Sequence, residues 1–109
     1  MKLIKCIIRP NKVDDVKDAL GELDISGMTV TEVRGHGVQK GHTAIYRGKE
    51  YDVSLLPKME IEIVVTDALA DDAIKAIIGA ARTGEIGDGR VFVLPMLESH
   101  RIRTGEKES

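Results

Sequence analysis

A glycine-rich segment at residues 83–90 has the composition of an anion-binding turn. Its sequence is TGEIGDGR, with three glycines in six residues. Glycine adopts positive φ without steric cost, so such a turn can direct backbone N–H groups toward a phosphate, and Arg90 adds a positive charge. The alternative is an ordinary turn between a helix and a strand. The segment is not a Walker loop, because it follows a predicted helix and lacks the Gly-Lys-Ser/Thr ending.

Three further cationic side chains could take part in the same chemistry. Arg101 and Arg103 stand two positions apart near the end of the chain, and in an extended segment such positions point the same way. Two guanidinium groups on one side would suit a polyphosphate. A solvated basic tail, balanced by Glu106 and Glu108, is the alternative. Lys58 begins a predicted strand and faces away from its apolar side, which by itself indicates only a surface lysine.

The sequence contains no recognisable catalytic pattern. His36, His42 and His100 lack the spacing of metal ligands, and no Cys-x-x-Cys or His-x-x-x-His pair occurs. A Gly-x-Ser-x-Gly nucleophile motif is also missing. We therefore predict a protein that is not an enzyme. The alternative is an enzyme on a ferredoxin-like scaffold, such as a small phosphatase.

Composition and charge exclude several classes of protein. The 109 residues suit a single domain covering 1–109, with 42% hydrophobic and 31% charged residues. A net charge of −2 gives no general attraction to nucleic acid or to an anionic membrane, and 3% aromatic residues are too few for an RNA-binding sheet. Cys6, the single cysteine, lies in an apolar run and is predicted to be buried. No signal peptide or membrane span is recognisable, so a cytoplasmic location is predicted.

Two β-α-β units account for most of the chain. Apolar and β-branched runs predict four strands, over residues 3–8, 28–34, 59–65 and 91–94. Apolar residues at helical spacing predict two helices, over residues 13–23 and 69–81. Pro95 predicts that the last strand lies at an edge or ends there. This order predicts an α+β, ferredoxin-like βαββαβ fold with both helices on one sheet face, so the other face must be partly polar or covered by another subunit.

The connection between the second and third predicted strands is unusually long. It covers residues 36–57, which are 22 residues, whereas connections beyond about 12–15 residues are usually functional or disordered. Tyr46, Arg47 and Tyr51 are residue types that anchor interfaces. The segment is therefore predicted to be a flexible partner-binding loop, with a simple insertion as the alternative.

Three stretches of the chain together resemble the PII nitrogen-regulatory signal-transduction proteins. They are GMTVTEV at 27–33 with GVQKGH at 37–42, YRGKEY at 46–51 with LPK at 56–58, and TGEIGDGRVFV at 83–93 with RIRTGE at 101–106. The resemblance covers nearly the full length, and the stretches occur in the family's order and spacing. It implies a homotrimer of ferredoxin-like subunits, which would cover the open sheet face, with three nucleotide sites between subunits.

The resemblance also implies which residues bind ATP or ADP. The glycine-rich turn would cradle the phosphates, and arginines of the C-terminal tail (98–109) would reach the same nucleotide from a neighbouring subunit. The positions that match the family's nucleotide site are Thr29, Gly35, Gly37, Val38, Val64, Gly87, Asp88, Gly89, Arg90, Arg101 and Arg103. Many relatives have an arginine where this chain has Val38. The absence of that arginine is expected to weaken phosphate binding or to shift the preference between ATP and ADP.

A second ligand, 2-oxoglutarate, is implied at the base of the long loop. Gln39 matches the residue that ligates Mg²⁺ together with ATP phosphates and 2-oxoglutarate, and Lys58 matches the residue that pairs with a 2-oxoglutarate carboxylate. The remaining matched positions are Lys40, Gly41 and Gly87. A pure adenylate sensor that does not respond to 2-oxoglutarate, and a weak ATPase, are the alternatives.

The loop is implied to regulate nitrogen metabolism through protein partners. Arg47 would enter the mouth of an ammonium transporter, so that contact with a membrane is only indirect, or the loop would control glutamine synthetase or another nitrogen enzyme. Tyr51 occupies the position that is uridylylated in many bacterial members. Some relatives have a phosphorylatable serine where this chain has Lys49, so that modification is excluded here.

Overall fold

A four-stranded antiparallel sheet with two helices forms the body of the protein. In this computed structural model the described residues are 1–35, 43–46, 49–52 and 55–108. The strands of the sheet are β1 (Lys2–Ile8), β2 (Thr29–Gly35), β5 (Leu56–Val65) and β6 (Gly89–Pro95), in the order β2-β5-β1-β6. The helices are α1 (Val13–Gly21), preceded by a 3-10 turn (Pro10–Lys12), and α2 (Asp67–Ala81). This is the predicted ferredoxin-like arrangement, and β6 lies at an edge and ends at Pro95, as that residue predicted.

Both helices pack on one face of the sheet. Side chains at alternate positions of β1 and β5 point toward them, because successive residues of a strand face opposite sides. The core comprises Ile4, Cys6, Ile8, Ile61, Ile63 and Val65 from the sheet with Val16, Leu20, Ala70, Ala73, Ile77 and Ala81 from the helices. The predicted helical stripes and the predicted burial of Cys6 are confirmed.

The opposite sheet face combines apolar and ionic side chains and has no helix over it in the described chain. Phe92 and Leu94 of β6 and Val64 of β5 are each about two-fifths exposed. Near its centre, Lys5 Nζ lies 3.6 Å from Glu62 Oε1 and 3.9 Å from Glu60 Oε1. This face is therefore partly polar, as predicted, and still presents apolar surface.

The segment predicted as one long loop contains regular backbone structure. Strand β3 (Thr43–Tyr46) pairs with β4 (Lys49–Asp52) as an antiparallel hairpin. The next sheet strand, β5, begins at Leu56, so the last two residues of the predicted loop, Leu56 and Pro57, belong to the sheet. Arg34 Nη1 donates to the carbonyl of Leu55 at 3.3 Å and ties the two ends of the segment together.

The C-terminal tail folds into a hairpin of its own. Strand β7 (Ser99–His100) pairs with β8 (Lys107–Glu108), and the turn between them is closed by bonds from Arg101 N to Glu106 O and from Gly105 N to Arg101 O. The premise that residues 101–103 are extended was wrong, because they lie in this turn. Among the described residues no helix is long and apolar enough to cross a membrane.

Candidate anion-binding site

The glycine-rich turn leads from the end of α2 into β6. The prediction that its three glycines adopt positive φ is confirmed, with angles of 91°, 103° and 103° at Gly84, Gly87 and Gly89. Gly89 has a second constraint, because a Cβ atom there would lie 1.7 Å from the carbonyl oxygen of Ile7. The close approach of β6 to β1 at this point therefore requires glycine.

The carboxylate of Asp88 holds the turn together from inside. It accepts hydrogen bonds from the N–H groups of Thr83 and Gly84, both at 2.9 Å, and from the Thr83 hydroxyl. The hydroxyl bond and then the backbone bonds hold the pKa of Asp88 well below its usual range. This carboxylate shapes the turn and its charge is already satisfied, so any contact of Asp88 with a phosphate would have to use its backbone N–H. Its place in the nucleotide site stays a prediction.

Arg9 is a component of this site that the sequence analysis missed. It follows the last residue of β1, and its Nε donates to Asp88 Oδ1 at 3.1 Å while its Nη2 donates to the carbonyl of Ile86 at 3.0 Å. The ladder pairs Ile8 with Gly89, which brings Arg9 beside the turn. The partners are 79 and 77 positions apart in the chain, so no local pattern could have indicated them.

Lys58 is buried against the same turn rather than solvated. Only 9% of the residue is exposed, and its Nζ donates to the carbonyl of Gly87 at 2.7 Å. Gly35 lies beside this side chain, since a Cβ there would be in ordinary van der Waals contact with Lys58 Cγ, at 3.4 Å. Burial lowers the pKa of Lys58, the charge of Arg9 acts in the same direction, and Asp88 opposes both. The interpretation of Lys58 as a surface lysine was therefore wrong.

The structure brings some predicted nucleotide residues together and keeps others apart. Gly35, Lys58 and the turn with Gly87 lie at one end of the sheet. Thr29 and Val64 lie toward the other end, where Thr29 pairs with Glu62. Lys58 and Val64 are six positions apart along β5, which corresponds to about 20 Å of strand. These positions of one chain therefore do not form a single compact site.

The tail arginines lie beyond the far end of β6 and are exposed. Arg101 Nε forms an ion pair with Glu108, which belongs to the opposite strand of the same hairpin. Ile102 between the two arginines is fully exposed. Both arginines are exposed, so they are accessible to a ligand or to a second subunit.

Several predicted positions lie outside the described residues. These are Gly37, Val38, Gln39, Lys40, Gly41 and Arg47. For Tyr46 and Tyr51 the structure describes only the backbone, in β3 and β4. In the part of the chain that is described, no three His, Cys, Asp or Glu side chains gather as a metal site would require. The predicted Mg²⁺ ligand, Gln39, is not among these residues.

Taken together, the turn offers donors and positive charge for an anion. Arg90 is the second residue of β6 and pairs with Ile7, on the sheet face away from the helices. Lys58 lies on the same face, and its ammonium group carries three donors, of which the bond to Gly87 uses one. The arrangement can bind a phosphate or a carboxylate.

Comparison with known proteins places the whole chain in one family. The model of the family "Nitrogen regulatory protein P-II" matches residues 1–106. The chain is 59% identical over 107 residues to the nitrogen regulatory protein P-II of Azospirillum brasilense, covering 98% of this chain and 96% of the relative. It is 57% identical over 108 residues to that of Klebsiella oxytoca, and 56% identical over 108 residues to the nitrogen regulatory protein P-II 1 of Escherichia coli strain K12, in both cases covering 99% of this chain and 96% of the relative. The chain belongs to the nitrogen regulatory protein P-II family.

Proposed function

We propose that this chain is a non-catalytic sensor of nitrogen and energy status that binds ATP or ADP and 2-oxoglutarate and signals through the segment 36–57. Its family is one of nitrogen regulatory proteins, which supports a role in nitrogen signalling. The observation that carries the ligand proposal is the turn at residues 83–90, where Lys58 and Arg9 donate to backbone carbonyls and Lys58 keeps two donors that this bond does not use.

The nucleotide site is proposed to lie between subunits of a homotrimer. One chain would supply the turn residues Gly87, Gly89 and Arg90. The neighbouring chain would supply Thr29, Val64 and the tail arginines, because these lie toward the opposite end of the sheet and cannot reach the turn of their own chain. The separation of about 20 Å along β5 supports this division of the site.

The dicarboxylate site is proposed to form around Lys58 and the start of the loop. Lys58 would pair with one carboxylate of 2-oxoglutarate through the two donors that its bond to Gly87 leaves unused. Gln39 would hold Mg²⁺ together with the ATP phosphates, and Lys40 and Gly41 would contact the ligand. Since Lys58 touches the phosphate turn, the two ligands would be coupled, and each must then change the affinity of the other by the same factor.

The segment 36–57 is proposed to carry the signal to a partner in the cytoplasm. Arg47 would block the mouth of an ammonium transporter, or the segment would bind glutamine synthetase or another nitrogen enzyme. Tyr51 is a proposed uridylylation site. An Arg47→Glu variant should lose inhibition of ammonium uptake, and a variant that still blocks uptake would remove the transporter from the proposal.

Calorimetric titration of 2-oxoglutarate in the presence of Mg-ATP, and separately of Mg-ADP, tests the ligand proposal. Binding is expected only with Mg-ATP. Lys58→Met should abolish 2-oxoglutarate binding and leave most of the ATP affinity, while Lys75→Met, an exposed lysine on α2, serves as the charge-matched control. Equal loss of ATP in Lys58→Met would assign this lysine to the nucleotide or to the turn alone.

A second candidate, a pure adenylate sensor, is favoured by one specific contact. Lys58 already donates to Gly87 at 2.7 Å and its pKa is lowered by burial, so it could serve only to hold the turn. Tight nucleotide binding without any 2-oxoglutarate binding would support this candidate. Steady ATP turnover at about 1 s⁻¹ or faster would contradict both and support an enzyme.

A further inference from the structure

The contact of Arg9 with the turn controls the orientation of one peptide group. Ile86 and Gly87 are the two central residues of a tight turn, and the φ of 103° at Gly87 is the kind of angle that a type II turn requires at its third residue. Types I and II differ by rotation of the peptide that joins these two residues, as their dihedral angles show. The carbonyl of that peptide belongs to Ile86, and it accepts from Arg9 Nη2 at 3.0 Å.

The position of this carbonyl fixes the direction of the next N–H group. A trans peptide is planar, so its C=O and N–H point in opposite directions. With the Ile86 oxygen turned toward Arg9, the Gly87 N–H is turned away from it. No acceptor among the described residues bonds to this N–H.

Arg9 makes two hydrogen bonds to the turn at once. Its Nε donates to Asp88 Oδ1 at 3.1 Å, so a carboxylate neutralises it within the turn. A guanidinium group can satisfy two acceptors at fixed relative positions, whereas a lysine ammonium is a single point with rotatable donors. Both donors of Arg9 that the structure places are therefore used on the protein itself.

We propose that Arg9 is a positioning residue of the phosphate turn, which selects the peptide orientation that presents the Gly87 N–H to the phosphates of a bound nucleotide. This inference rests on the proposed nucleotide binding and adds a residue and a role to it. Arg9 need not touch the nucleotide, because the group that it positions makes the contact.

Affinities of the assembled full-length protein for ATP, ADP and adenosine test the proposal. Arg9→Met removes both donors and keeps a side chain of similar length, and Lys17→Met, an exposed position on α1, controls for the lost charge. ADP and ATP should bind about tenfold more weakly to Arg9→Met, as expected for one charge-assisted hydrogen bond, while adenosine binding is unchanged. Equal weakening of adenosine would show a merely structural role and would overturn the proposal, as would unchanged ADP binding.

Arg9→Lys separates orientation from charge. It retains the positive charge but cannot hold both acceptors, so ADP affinity should stay below that of the wild type. An Arg9→Lys protein that binds ADP as tightly as the wild type would show that charge alone suffices.

A measurement without nucleotide distinguishes failure of this inference from failure of the proposed function. The amide resonance of Gly87 should move in ligand-free Arg9→Met, while that of Gly105, in the tail turn, stays in place. An unmoved Gly87 resonance would contradict the role of Arg9 whatever the ligand is. A moved resonance in a protein that binds no nucleotide would instead contradict the proposed function and leave the positioning of the peptide established.

Discussion

At the scale of single residues, Gly89 determines how the chain enters β6. Gly89→Ala should destabilise the protein by about 2 kcal/mol or more, because alanine at positive φ costs about 1–3 kcal/mol and its Cβ would lie 1.7 Å from the Ile7 carbonyl oxygen. Urea unfolding measures the loss. Gly79→Ala, in the last turn of α2 with no atom near the added Cβ, should instead stabilise by up to about 1 kcal/mol. Similar values for the two variants would contradict the contact between β6 and β1.

The sequence could predict those residues of the turn whose type favours a particular backbone conformation. Three glycines in six residues indicated positive φ, and all three have it. The positions of Lys58 and Arg9 could not be predicted from the residues alone, because both depend on contacts between distant parts of the chain. Lys58 is buried against Gly87. Arg9 donates hydrogen bonds to Ile86 and Asp88. The resemblance to a family implied a ligand role for Lys58, but it did not indicate the bond of Lys58 to the Gly87 carbonyl.

At the scale of elements, the tail hairpin carries the two arginines that we propose to bind the nucleotide, and mutation can test this role. Arg101→Ala combined with Arg103→Ala should weaken ATP and ADP binding strongly, since charge-assisted phosphate contacts contribute about 1.5–3 kcal/mol each. Calorimetry measures this, with circular dichroism as the check on folding. Glu108→Gln frees Arg101 from its ion pair and should strengthen nucleotide binding by at most about fivefold, because exposed pairs contribute about 0–1 kcal/mol. Unchanged affinity in the double variant would mean that the tail does not reach the nucleotide.

Periodicity predicted the helices and sheet strands, but it missed the first residues of β5 and the short hairpins. Leu56 and Pro57 lie beyond the point where β1 ends its pairing, at Ile8 with Met59, so among the described strands only β2 pairs with β5 there. Proline is tolerated where one side of a strand is free, and its presence concealed the strand in the sequence. The hairpins of two to four residues per strand carry too few residues for a recognisable alternation.

At the scale of the whole molecule, the helix-free sheet face is the surface through which we propose that the subunits of the trimer contact one another. Phe92→Glu introduces a charge on this face, where Phe92 is 42% exposed, and should convert a trimer into smaller species. Light scattering coupled to size-exclusion chromatography measures the mass. Leu97→Glu, at a residue that is 95% exposed and follows β6, is the control and should leave the mass unchanged. A Phe92→Glu protein with the mass of the wild type would exclude this face as the subunit contact.

The packing of the helices on the sheet buries one cysteine, whose chemical labelling would report when the core opens. Cys6 lies in the central strand β1 with no exposed surface, and burial raises the pKa of its thiol to about 11. Only the thiolate reacts with alkylating reagents, and it is the single cysteine of the chain. In the closed fold, Cys6 is therefore expected to react only slowly with such reagents and with mild oxidants. Because Cys6 belongs to the core between the sheet and its helices, the rate at which it becomes labelled then measures how often this core opens, with no engineered probe.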